Sequence, residues 1–285
     1  MKQRTTKEQM LDRELFHFYN AVAASHLTIE QGCEYLLSAI RKGADVNTRS
    51  ADKTPLLFGI TKYQDNVQTQ LIVPEITALL FQNGADINVQ DSKGNHILHI
   101  YAQNKFSEDI LPILEFYTEQ NEADKLEFVN LRGDTIAHIA ATHNNDELLD
   151  LINNTETDIN LQNKSGNTPL HNAVLVWVNQ KNLSENDPHP IFGTIKKLFE
   201  NDKIDATITN HDDDTALDIA RAHEEQLGDN NYQVGDFIAN QMRENGVALA
   251  LTEREARKQH TEFWGKAGPC TKIKYTVVNR LCIIM

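Results

Sequence analysis

Apolar residues recur along this chain at helical spacing, in short blocks that end on glycine. Tyr35, Leu36, Ala39 and Ile40 run into Gly43, and Ile76, Leu79 and Leu80 run into Gly84. Residues three and four apart share one face of a helix, and a glycine just past the last turn takes the left-handed backbone that stops it. Between each stop and the next apolar block lie about ten polar residues rich in Asp, Asn, Ser and Gly, suited to a tight hairpin or turn. The pattern predicts helix pairs near 15–24 and 29–42, and again near 215–223 and 232–244, the last stopping at Asn245-Gly246. From Trp177 to Ile191 a polar insertion with Pro188 and Pro190 predicts a loop.

These blocks are copies of one phrase. Gly166-Asn167-Thr168-Pro169-Leu170-His171 is complete, and diverged versions begin at Asp52, Gly94, Gly133 and Asp213. In the complete copy Thr168 can cap a helix whose first turn accepts Pro169, because that proline has no amide hydrogen to satisfy. The Thr-equivalent positions 54, 96, 135, 168 and 215 lie at intervals of 42, 39, 33 and 47 residues. A second phrase keeps phase with the first: Gly43-Ala44-Asp45-Val46-Asn47 and Gly84-Ala85-Asp86-Ile87-Asn88, with weaker forms at Thr157-Asp158-Ile159-Asn160 and Lys203-Ile204-Asp205-Ala206.

On these residues, and on the shortest interval of 33, the chain resembles the ankyrin-repeat family over residues 11–245. The resemblance implies an all-α ankyrin-repeat solenoid, about five diverged repeats of stacked helix pairs with outward β-hairpin fingers. Residues 1–47 read as an amino-terminal capping helix pair, 48–246 as the repeats with insertions, and 247–285 as a short carboxyl-terminal helix and flexible basic tail. It also implies that His99, His138 and His171, which share one slot of the phrase, make a structural hydrogen bond between neighbouring units. Carried over by position, the family's variable contact residues fall on Ser50, Lys53, Thr61 and Lys62; Lys93, Asn95, Gln103 and Asn104; Arg132, Asp134, Thr142 and His143; Lys164, Asn167, Leu175 and Val176; and His211, Asp214 and His223. Leu175, Val176 and Trp177 either form an apolar anchor for a partner or pack under the adjacent insertion.

Charge changes the picture at the carboxyl end. The whole chain carries −14, which opposes a general grip on nucleic acid. From Thr252 onward, however, seven basic residues face three acidic ones. Thr252 with Glu255 is a capping-box pattern, so a helix is expected from Glu253 to about Trp264. The chain finishes Cys282-Ile283-Ile284-Met285, a prenylation motif whose terminal methionine favours farnesyl. The sequence therefore nominates Cys282 for lipidation by a prenyltransferase. One lipid alone holds a membrane only marginally, so a second signal is expected from Lys266, Lys272, Lys274 and Arg280, or from a palmitoyl group on Cys270. The polar start from Met1 to Met10 predicts no signal peptide, and three scattered cysteines give no disulfide framework, so a reducing cytosol is the expected setting.

No catalytic constellation is legible. A Gly-rich phosphate loop, a Gly-x-Ser-x-Gly elbow and a His-Glu-x-x-His helix are all missing, and Asp212-Asp213-Asp214 lacks the spacing of a calcium loop and reads as a solvated finger tip. Cys33 sits within an apolar helix and is expected in the core. No cofactor and no small-molecule substrate are expected. The expected function is a protein–protein adaptor anchored to a cytosol-facing membrane, similar to the ankyrin effectors that intracellular bacteria deliver into eukaryotic cells. The alternatives are an enzyme-recruiting subunit such as a ubiquitin-ligase adaptor, or a soluble ankyrin binder with a fortuitous terminus.

Overall fold

The computed structural model describes residues 29–49, 73–86, 88–104, 127–179, 190–227 and 233–247, together with 6, 10 and 13–15. The chain divides into two compact units, Met1–Asn231 and Tyr232–Met285. In the first unit the described helices are α1 (Ile29–Arg41), α2 (Val73–Gln82), α3 (Ile97–Asn104), α4 (Ile136–His143), α5 (Asp146–Asn153), α6 (Pro169–Asn179), α7 (Pro190–Phe199) and α8 (Ala216–Leu227). The second unit contributes α9 (Gln233–Glu244). Among the described residues β-structure is confined to isolated antiparallel bridges, Gln90 with His96, Val129 with Thr135 and Thr209 with Thr215. The architecture is all-α, as the pattern predicts.

The first unit is two layers of helices. In one layer α3, α4, α6 and α8 pack side by side in chain order; in the other α5 packs against α7, and α1 against α2. Helices α4 and α5, and α6 and α7, are the packed pairs that join the layers. The two layers differ in sequence for a physical reason. An inner helix is covered on most sides, and in α4 Ile136, Ala137, His138, Ile139, Ala140 and Ala141 are all buried. Small residues there let neighbours approach closely. An outer helix needs only one apolar stripe, and α5 buries Leu148, Leu149 and Ile152 while Glu147 and Asp150 stay outside.

The turn between α4 and α5 is built from two asparagines. Asn144 takes φ 54°, ψ 45° to stop α4, and the Asn145 side chain accepts from the Leu148 amide at 3.1 Å to start α5. The same Asn145 donates to the Ala102 carbonyl at 3.2 Å, so the turn is tied to the preceding inner helix.

Several sequence expectations need adjustment. Trp177 and Asn179 lie inside α6, and Pro190 opens α7, so helix reaches further into the insertion from both sides than the loop prediction allowed. Pro190 suits that place because the first helical position has no intrahelical acceptor for an amide. Cys33 is half-buried rather than fully packed away. Helices predicted at 15–24 and 253–264 lie outside the described residues, apart from Leu15, which is helical and buried. No described helix is long and apolar enough to cross a membrane.

Candidate functional site

Among the described residues four fingers are each organised by one Asx side chain five residues before the Thr-equivalent position. Asp91 Oδ1 accepts from the amides of Lys93 and Asn95, both at 2.8 Å. Asn130 does the same for Arg132 and Asp134, Asn163 for Ser165 and Asn167, and Asn210 for Asp212 and Asp214, at 2.8 to 3.1 Å. The asparagines carry a second arm that a carboxylate lacks. Their Nδ2 groups donate backwards to the preceding finger: Asn130 to Asn95 at 3.1 Å, Asn163 to Asp134 at 2.8 Å, and Asn210 to Asn167 at 3.1 Å. Backbone bonds run alongside, from Leu131 N to Lys93 O, Lys164 N to Arg132 O, and His211 N to Ser165 O.

Stacking this tight fixes the glycines. Gly133 and Gly166 have φ of +77° and +75°, and a Cβ on either would meet the next finger's backbone, at 2.9 Å from Lys164 N and 2.6 Å from His211 N. Asp213 holds the same place in the phrase with φ 63°, and no further finger stacks upon it among the described residues. The left-handed conformation is tolerable for aspartate; the close approach is what demands glycine.

Behind the fingers the phrase histidines tie repeat to repeat within the first unit. The Thr135 amide donates to His138 Nδ1 at 3.1 Å, which fixes the neutral tautomer with its proton on Nε2. That Nε2–H donates to the Asn167 carbonyl at 2.8 Å. His171 repeats the arrangement, taking the Thr168 amide at 3.2 Å and reaching Asp214 O at 3.1 Å. His99 takes the His96 amide at 3.2 Å and reaches Asp134 O at 3.0 Å. All three are buried, and burial lowers each pKa below the ordinary imidazole value, with the carbonyl bonds opposing it. In the last copy Asp218 closes the same local cap, accepting from Thr215 N at 3.0 Å and Thr215 Oγ1 at 2.6 Å.

These contacts hold the finger tips over the inner helices and leave a groove between them. A hollow of about 630 Å³ has Leu131, Arg132, Lys164 and Ser165 on the finger side. Thr142, Asn172, Leu175, Val176 and Asn179 line it from the helices. A second hollow of about 430 Å³ continues past Leu175 to Asp212, Asp214, Ile219 and His223. Leu175 and Val176 are half-exposed, whereas Trp177 is 3% exposed and meets the His223 ring edge-on at 4.8 Å. Among the described residues no group of three or more His, Cys, Asp or Glu is placed to hold a metal ion.

Residues 137–175 match the family model for ankyrin repeats in many copies. In solved structures the chain is similar to the ankyrin repeat protein EF0377, with a TM-score of 0.55 and 21% identity over 77% of this chain and 96% of that one. The fold is an ankyrin-repeat solenoid. An ankyrin repeat domain from Acinetobacter baumannii gives a TM-score of 0.53 and 16% identity over 73% of this chain and 91% of that one. Among curated proteins, the nuclear factor NF-kappa-B p105 subunit of Gallus gallus is 32% identical over 147 residues, 51% of this chain. The match spans only 13% of that relative's length.

The structure places the nominated contact residues in four groups, which overlap at Asn167. Arg132, Thr142, Lys164, Leu175 and Val176 come together around the first hollow, and Asn167, Asp214 and His223 around the second. Lys93 and His211 are exposed on their fingers, Gln103 is exposed on α3, and Asn104 ends that helix. Others serve the stack itself. Asp134 is 3% exposed and bonded to Asn163 and Arg132, Asn95 and Asn167 accept from the next finger, and the His143 ring bonds Ile139 O at 3.0 Å. Ser50, Lys53, Thr61, Lys62, Lys266, Cys270, Lys272, Lys274, Arg280 and Cys282 lie outside the described residues.

Sequence reasoning passed over the Asx anchors, although their fixed offset from the Thr position is readable. It also took the second phrase only as a register mark. Asn47 and Asn160 are bridges between successive repeats: Asn47 donates to Gly84 O and accepts from Asp86 N, and Asn160 donates to Lys203 O and accepts from Asp205 N.

Proposed function

We propose that this chain is a non-enzymatic adaptor that captures a protein partner on the grooved inner face of its solenoid and is addressed to a cytosol-facing membrane by prenylation of Cys282. The observation that carries the first half is the hollow itself. Half-exposed Leu175 and Val176 form an aliphatic floor below cationic finger tips, and the stack holds that floor rigid before any partner arrives. Preformed apolar anchors with polar rims are what a protein-docking surface needs, and a shallow open groove without a convergent acid, base or nucleophile is a poor place for catalysis.

The address rests on the terminal motif, with Lys266, Lys272, Lys274 and Arg280 adding attraction to an anionic leaflet and Cys270 available for a second acyl chain. A recognition rod with a lipid address suits a bacterial effector that borrows a host prenyltransferase. Two substitutions expressed in a eukaryotic cell test the two halves separately. Changing Lys93, Arg132 and Lys164 together to glutamate should abolish partner recovery while the helical far-UV circular dichroism is retained; undiminished recovery would place the docking face elsewhere. Cys282→Ser should move the protein from the membrane to the soluble fraction and remove the lipid mass from its carboxyl-terminal peptide. Equal solubility of the two forms would remove the address.

A further inference from the structure

The two hollows on the inner face are one groove with charges of opposite sign at its ends. Ser165 and Leu175 line both. On one side stand Arg132 and Lys164, and on the other Asp212 and Asp214, carried on three successive fingers. Elsewhere on this solenoid some charges neutralise one another. Lys197 Nζ lies 2.9 Å from Asp150 and 2.7 Å from Glu200, and Lys203 Nζ lies 3.0 Å from Glu156. Along the groove they do not: Lys164, Asp212 and Asp214 are exposed and make no ion pair among the described residues. The Arg132 Nε reaches Asp134 at 2.9 Å, yet its side chain remains 79% exposed.

Given that the inner face docks a partner, the geometry points to the chemistry of the occupant: an extended peptide segment of a partner protein, anionic at one end, aliphatic in the middle and cationic at the other. Charge complementarity argues for it. A uniformly acidic segment would suit Arg132 and Lys164 but meet Asp212 and Asp214, in a chain whose net charge of −14 already repels it. A uniformly basic segment meets the reverse conflict. Only a two-signed segment satisfies both ends while its centre lies on Leu175, flanked by Val176 on one side and Ile219 on the other. Spacing sets its length. Helices in packed layers lie about 10 Å apart, so the Arg132 and Asp212 fingers are about 20 Å apart, which an extended chain spans in about six residues. The rim charges then govern register and choice of partner, and the aliphatic contact anchors.

Fluorescence anisotropy with synthetic peptides of about ten residues tests this on the full chain near 0.15 M salt. The probes are a Glu pair and a Lys pair flanking Leu-Ile, Glu pairs at both ends of Leu-Ile, Lys pairs at both ends, and the two-signed peptide with Gly-Gly at its centre. The two-signed Leu-Ile peptide should bind about tenfold more tightly than the other three. Lys164→Glu should shift preference toward the all-Lys peptide, and Asp212→Lys with Asp214→Lys toward the all-Glu peptide, both variants keeping the thermal unfolding of the parent. A ranking unchanged by either charge reversal, or a parent protein that prefers a single-signed peptide, overturns the inference. If a benzophenone side chain placed at Val176 crosslinks a discrete partner in cells while the ranking ignores charge, the docking face survives and only the two-signed occupant falls. If nothing binds and nothing crosslinks there, both fall together.

Discussion

Acidification should destabilise this solenoid in a window set by its buried histidines. His99, His138 and His171 are 1%, 0% and 1% exposed, and each holds its Nδ1 lone pair against a backbone amide and its Nε2 proton against a carbonyl of the next unit. A second proton on Nδ1 would break the first bond and place a charge in the core. Burial accordingly lowers all three pKa values from 6.5 in the folded state. Because the folded values are depressed, the unfolded chain takes up protons first, so this contribution is complete above pH 6.5 and is lost as pH falls below it. Between pH 6.5 and 5.5 an imidazole that ionised only when unfolded would cost about 1 kcal/mol, so the three together set a ceiling of about 3 kcal/mol. Domains of ordinary stability hold about 5–15 kcal/mol, so the loss is large, and the window lies above the range where carboxylates titrate. Urea unfolding followed by far-UV circular dichroism at pH 7.5, 6.5 and 5.5 measures it. His138→Gln should lower stability at every pH and reduce the acid-dependent part by about a third. Stability that is level, or that rises, between pH 6.5 and 5.5 would refute the reasoning.

The finger stack supports further predictions. Gly166→Ala should cost about 3 kcal/mol, since a methyl group 2.6 Å from His211 N must displace a backbone, whereas Gly84→Ala, with a similar positive φ and open space around it, should cost about 1 kcal/mol; thermal unfolding of the two variants makes the comparison. Asn163→Ala strips acceptors from the Ser165 and Asn167 amides and a donor from Asp134, an expected loss of about 2–3 kcal/mol in denaturant titration. Asn163→Asp restores the acceptor but sets a carboxylate against Asp134, so it should not recover wild-type stability near neutral pH.

The helices and their stops were legible because they follow from local rules: apolar spacing, a threonine cap and a glycine stop; the histidine slot was legible only through the family resemblance. His138 illustrates how far that goes, since one position in a phrase foretold a bond to a carbonyl 29 residues ahead. What the sequence concealed is relational. Asn130, Asn163 and Asn210 look like ordinary turn residues, and only the stacked geometry reveals that each also grips the finger before it. For the same reason Asp134 and Asn95, nominated for contact by their place in the family pattern, prove to be bonded within the array. Trp177 was grouped with Leu175 and Val176 by adjacency, but the helix turns it inward to His223 while its two predecessors line the groove. The opposite charges of Lys164 and Asp212 lie 48 residues apart in sequence, and it takes the stacking of fingers to set them along one groove.

The central claim, that the inner ankyrin face receives a protein, is tested most directly by photo-crosslinking in cells from a benzophenone side chain placed at Val176, compared with one at Lys196 on the outer layer. The account predicts a discrete crosslinked partner from position 176 and none from position 196. A partner captured from the outer position alone, or from neither, would contradict it.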